Sequence, residues 1–100
     1  MQSITPRQLK EFLDKPETIQ LIDVREPNEH DVFNIGGELI PLENITKQLD
    51  RIQQDKPVIL YCRKGLRSAI AIQRLQERFP FHNLINLVGG MEAWRREFEV

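Results

Sequence analysis

Apolar positions along this chain follow two periods, and helical and extended stretches alternate from one end to the other. Leu9, Phe12 and Leu13 are spaced as the buried stripe of a first helix. Its start is well marked: Thr5 suits the N-cap, Pro6 the first helical position, and Gln8 completes a capping box. Ile4 and Leu9 stand at the spacing of a hydrophobic staple, and Pro16 ends the helix. Residues 19–24 are apolar and β-branched, which predicts a buried strand. Pro27 opens a short helix with Glu29 early and Val32-Phe33 late. Leu39-Ile40 is a short strand ended by Pro41. Ile45, Leu49 and Ile52 mark a further helix with Asn44 as its cap.

Val58 to Tyr61 reads as the central strand. The helix after it has Ala69, Ile72, Leu75 and Phe79 on one face, with Arg74, Glu77 and Arg78 largely off it. Leu84 to Val88 is the last strand, and Met91 to Phe98 a final short helix with Trp94 turned inward. Alternating strands and helices predict an α/β domain: a small, mostly parallel sheet flanked by helices on both faces. Functional sites in such sheets lie at the carboxyl ends of strands.

Composition narrows the classes. One hundred residues suit one small domain over positions 1–100. A net charge of -1 gives no case for nucleic acid or an anionic membrane as partner. One cysteine excludes an internal disulfide and fits a reducing, cytoplasmic setting. The first residues lack the basic-then-apolar order of a secretory signal, and no apolar run approaches the roughly 18 residues of a membrane span. Nothing bears on oligomeric state.

That cysteine is the centre of the chemistry. The strand Val58 to Tyr61 delivers Cys62 to a basic loop, Arg63-Lys64-Gly65-Leu66-Arg67, and Ser68 is a favoured N-cap for the helix behind it. Gly65 can adopt positive φ and turn backbone N–H groups inward. Three cations and a helix N-terminus favour a negative charge on Cys62 or on an anion beside it. A lone cysteine ending a buried strand is often only a small hydrophobe; the basic loop weighs against that here. Asp23 and Arg25 follow a buried strand and suit a structural carboxylate–guanidinium pair. His30 and His82 read as surface residues, with no zinc-ligand spacing. Gly89-Gly90 lacks a phosphate-loop ending and reads as a strand-to-helix turn, and Trp94 as core.

The segment Cys62-Arg63-Lys64-Gly65-Leu66-Arg67-Ser68 resembles the C-x-x-G-x-R-S active-site loop of rhodanese-type sulfurtransferases. Leu21-Ile22-Asp23-Val24-Arg25-Glu26 is similar to that family's L-I-D-V-R-E segment, and Asn86-Leu87-Val88-Gly89-Gly90-Met91-Glu92-Ala93-Trp94 to its late L-x-G-G-x-x-A-W segment. The three occur in the family's order and span nearly the whole chain. Residues 33–42 depart from the family's common histidine and P-G-A stretch, and resemble the rhodanese domains fused to ubiquitin-like-protein activating enzymes.

The resemblance implies a Cys62 nucleophile that takes the outer sulfur of thiosulfate or a related small anionic donor. The resulting persulfide passes to cyanide, a thiol or a partner protein, with no cofactor or metal. Arg63, Lys64, Gly65, Leu66, Arg67 and Ser68 would bind substrate; Asp23 and Arg25 would order the neighbouring loops. Two other classes remain: a cysteine phosphatase or arsenate reductase on the same architecture, and a non-catalytic interaction domain. Four residues separate Cys62 from Arg67, where cysteine phosphatases keep five, and the shorter loop suits one sulfur better than a tetrahedral oxyanion.

Overall fold

β4 (Val58–Tyr61) divides the core in two by its pleat. Val58 and Leu60, with Cys62 beyond them, face one apolar cluster, while Ile59 and Tyr61 face the other. All four strand residues are buried, as expected of a strand covered on both faces. The computed structural model describes residues 1–99. Among these, β1 (Gln2–Ile4), β2 (Gln20–Asp23), β3 (Glu38–Leu39), β4 and β5 (Leu84–Leu87) form one sheet in the order β1-β5-β4-β2-β3. Every pairing is parallel.

Four α-helices connect and cover the strands: α1 (Pro6–Leu13), α2 (Pro27–Val32), α3 (Leu66–Arg78) and α4 (Gly90–Phe98). Ala71, Ile72 and Leu75 of α3 pack on one face with Ile45 and Ile52. Leu9 of α1 and Met91 and Trp94 of α4 pack on the other. Thr5 caps α1 as expected: its Oγ1 accepts from Gln8 N–H at 3.2 Å, and Gln8 Oε1 accepts from Thr5 N–H at 3.0 Å. Helices on both faces of a parallel sheet match the predicted class.

Five local expectations are corrected. Residues 2–4 form an edge strand, where the sequence pattern marks only Ile4, as a staple residue. Phe12 is exposed and Leu13 half-buried, so the eight-residue α1 meets the core fully through Leu9 alone. The helix expected around Ile45, Leu49 and Ile52 is two 3₁₀ segments, Leu42–Lys47 and Leu49–Arg51. Gln48, at φ -130° and ψ 41°, separates them, and Asn44 lies within the first rather than capping it. Successive i→i+3 turns still bring Ile45 and Ile52 into the core.

α3 begins earlier than expected. Gly65, at φ +96°, is its N-cap, and Ser68 sits inside the first turn. The buried positions are accordingly Ser68, Ala71, Ile72 and Leu75, an i, i+3, i+4, i+7 set that replaces Ala69 with Ala71. Phe79 leaves the helix in an extended conformation, is 38% exposed, and meets Phe81 edge-on. His30 is the fifth correction: its side chain is mostly buried, with Nδ1 2.9 Å from Asp23 Oδ2. His82 is exposed.

Candidate functional site

The carboxyl end of β4 places Cys62 at the base of a loop closed by α3. Its side chain is buried, and its sulfur is surrounded by donors. Gly65 N–H points at Cys62 Sγ from 3.1 Å and Ser68 N–H from 3.4 Å. The Ser68 hydroxyl oxygen lies 3.4 Å from the same sulfur. The left-handed φ of Gly65 makes this possible, because it turns the chain from the loop into the helix while leaving two N–H groups facing inward. These are free donors of a helix first turn, so the sulfur lies at the positive end of α3.

A second element braces the loop from behind. Met91 N–H donates to Cys62 O at 2.9 Å and Glu92 N–H to Arg63 O at 3.0 Å, so the first turn of α4 holds the loop backbone. Gly90 permits the approach: it has φ +57°, and a Cβ there would lie 2.4 Å from Cys62 O. From β5, Asn86 Nδ2 donates to Gly65 O at 3.1 Å. Asn86 Oδ1 accepts from the Ser68 hydroxyl at 2.5 Å.

The loop cations are not equivalent. Arg67 makes two hydrogen bonds to Glu29 of α2, Nη1 to Oε1 at 2.7 Å and Nη2 to Oε2 at 2.9 Å. These bonds outweigh the cost of burial and hold the Glu29 carboxyl down at about 2. The same contact raises the Arg67 guanidinium. Arg63 Nε donates to Glu92 Oε2 at 3.1 Å in an exposed pair. Lys64 is exposed and enters no ion pair among the described residues. Leu66 is 70% exposed beside the loop.

Asp23 and Arg25 lie on the other side of the sheet, as a buried pair. Asp23 accepts from Arg25 Nε at 2.9 Å, Arg25 Nη2 at 2.8 Å and Arg25 backbone N–H at 3.0 Å. Arg25 Nη2 also donates to Phe33 O at 2.6 Å, which ties β2 to the end of α2. Burial opposes ionisation of Asp23, but the bonds from Arg25 and His30 outweigh it and lower the carboxyl. A carboxylate only accepts, so His30 donates through Nδ1. Tyr61 lines the same side, and burial pushes its phenol up to about 12.

Of the loop residues, Gly65 and Ser68 face the Cys62 sulfur, Arg63 and Arg67 pair with acids on other elements, and Lys64 and Leu66 are exposed, while Asp23 and Arg25 brace the end of α2. Asn86, Glu29 and Glu92 complete the arrangement. Asn86 carried a visible signal, a lone polar residue in the apolar run Leu84-Ile85-Asn86-Leu87. No group of three or more His, Cys, Asp or Glu side chains among the described residues could hold a metal ion. No helix among them is long and apolar enough to cross a membrane.

The sequence and the fold are similar to those of known proteins. The model of the rhodanese-like domain matches residues 5–97. The chain is 39% identical over 100 residues to the probable adenylyltransferase/sulfurtransferase MoeZ of Mycobacterium tuberculosis, a match covering 97% of this chain and 25% of MoeZ. It thus spans about a quarter of that relative's length. Protein YqhL of Bacillus subtilis is 41% identical over 86 residues, covering 85% of this chain and 68% of YqhL. A solved structure of a rhodanese-related protein from Thermoplasma volcanium superposes with a TM-score of 0.85 at 27% identity, over 98% of this chain and 94% of that one. Rhodanese-like domains thus occur in proteins named as sulfurtransferases, MoeZ among them. The chain belongs to the rhodanese-like domain family.

Proposed function

We propose that this domain is a sulfurtransferase in which Cys62 carries the transferred sulfur as a persulfide. The observation that supports it most is the pair of backbone N–H groups, from Gly65 and Ser68, aimed at Cys62 Sγ from 3.1 and 3.4 Å. Donors fixed before reaction favour negative charge on the sulfur they face, without reorganisation during the step.

In the first half-reaction the Cys62 thiolate attacks the outer sulfur of a sulfane donor. A new S–S bond forms at Sγ, the donor's own S–S or S–sulfonate bond breaks, and its electron pair leaves as a thiolate or as sulfite. In the second, a thiophilic acceptor such as cyanide, a thiol or a protein thiol takes the outer sulfur, and the electron pair of that bond returns to Cys62. The sequence holds no second cysteine, so the persulfide discharges only to an external acceptor. The inward N–H groups of Gly65 and Ser68 stabilise the thiolate.

Steady-state kinetics test this reading. Varying donor against acceptor should give the parallel double-reciprocal lines of a ping-pong mechanism, because the covalent intermediate separates the two substrates. Hydrolysis of aryl phosphates should be negligible, since only four residues lie between Cys62 and Arg67. Efficient phosphate hydrolysis without sulfur transfer would replace this reading with the phosphatase one.

A further inference from the structure

Two of the three loop cations that follow Cys62 are already paired with acids from other elements. Glu29 of α2 takes both terminal nitrogens of Arg67, at 2.7 and 2.9 Å, and its side chain is 25% exposed. Glu92 of α4 takes Arg63 Nε at 3.1 Å. Glu26 adds further negative charge within electrostatic reach of Arg67. Lys64 is the remaining loop cation, and it is exposed to solvent.

The charge carried by the reacting atoms depends on the donor. Thiosulfate is a dianion, so its reaction with a Cys62 thiolate gathers three negative charges and releases sulfite as a dianion. A neutral thiol persulfide reacting with the same thiolate gathers one. In that step the Cys62 sulfur bonds to the outer sulfur, the R–S bond to that sulfur breaks, and the pair leaves as R–S⁻ with no net oxidation. A free oxyanion therefore needs unpaired cations, and a persulfide carried on carbon needs far fewer. Leu66, 70% exposed at the start of α3, gives apolar surface beside the loop for the body of such a carrier.

We infer that Glu29 is a specificity-determining residue: by occupying the Arg67 guanidinium it turns the Cys62 site away from thiosulfate and towards sulfur carried as a thiol persulfide. The inference rests on the sulfurtransferase reading and names its donor class. Two unit charges roughly 10 Å apart at an effective dielectric near 20 attract enough to change a rate on the order of tenfold, and a dianion gains more.

The test is the rate at which Cys62 gains one sulfur from cysteine persulfide and from thiosulfate, measured separately by intact mass. Wild-type protein should favour cysteine persulfide. Glu29→Gln, which keeps the shape but removes the charge, should shift the ratio of the two rates towards thiosulfate by about tenfold or more. Glu29→Asp should keep most of the wild-type preference. Glu92→Gln, at an exposed pair less coupled to folding, should shift the ratio in the same direction, and added salt should shrink both shifts. If wild-type protein favours thiosulfate, or if Glu29→Gln leaves the ratio unchanged, the inference is overturned while the sulfurtransferase reading stands. If neither donor loads Cys62, both fall together.

Discussion

The Ser68 hydroxyl donates to Asn86 Oδ1 at 2.5 Å, so it does not donate to Cys62 Sγ 3.4 Å away. The orientation of Asn86 is forced, because its amide nitrogen donates to the Gly65 carbonyl, a group that only accepts. The sulfur is left with backbone donors from Gly65 and Ser68. Ser68→Ala should therefore lower stability by about 1–3 kcal/mol, because Asn86 Oδ1 loses its partner. Asn86→Ala removes the anchor of the loop itself and should slow sulfur loading by on the order of 10- to 100-fold, more than Ser68→Ala does. Loading rates of the two variants decide it; a slower Ser68→Ala would mean that the hydroxyl, not the backbone, handles the sulfur.

Asp23 is fully buried and accepts from Arg25 and His30. Removing its charge leaves the Arg25 guanidinium without its carboxylate in a buried setting. Asp23→Asn should cost about 3–5 kcal/mol in urea unfolding. A loss below about 1 kcal/mol would show that Arg25 finds solvent or another acceptor.

Acid should weaken the hold of α2 on the loop. The Glu29 carboxyl is held down at about 2 against its ordinary 4.5, chiefly by the bonds from Arg67. A depressed carboxyl contributes stability that is fully present above about 4.5 and is lost as the pH falls towards 2. The contribution is at most about 3 kcal/mol and on the order of 1 kcal/mol once solvent screening is allowed for. Unfolding free energy measured across that window should fall with acid in the wild type and fall less steeply in Glu29→Gln. Asp23, also lowered, maintains part of the slope in both. Identical slopes would remove Glu29 from the acid response.

Gly90 and Gly36 separate backbone strain from steric contact. Both have positive φ, +57° and +93°, but an added Cβ at Gly90 would lie 2.4 Å from Cys62 O, whereas nothing lies within 4 Å of one at Gly36. Gly36→Ala should cost about 1 kcal/mol, from the left-handed conformation alone. Gly90→Ala should cost about 2–4 kcal/mol and disturb the loop that holds Cys62. Equal losses at the two sites in thermal unfolding would mean that α4 can move away from the loop.

Elements with strong local signals were legible in the sequence. The capping box at Thr5 and Gln8, the buried run Val58 to Tyr61 and the turn at Gly89-Gly90 appear where their residues indicate. β1 was not legible, because three residues with one buried side chain have no period, and their partner β5 lies some eighty residues on. The 3₁₀ segments escaped because Ile45, Leu49 and Ile52 satisfy a helical spacing equally well. Ser68 looks like a cap in sequence; only the positive φ of Gly65 shows that the helix has already begun. The loop around Cys62 was readable as a loop, but the pairing of Arg67 with Glu29 depends on how α2 packs against it, 38 residues away in sequence.

The central claim is that Cys62 carries a sulfur atom, and the mass of the intact protein measures it directly. After incubation with a sulfane donor and removal of excess, wild-type protein should be heavier by one sulfur, remain so in buffer, and return to its starting mass on adding cyanide. Cys62→Ser should fold and gain nothing. No gain with any sulfane donor, or an equal gain in Cys62→Ser, would contradict the account.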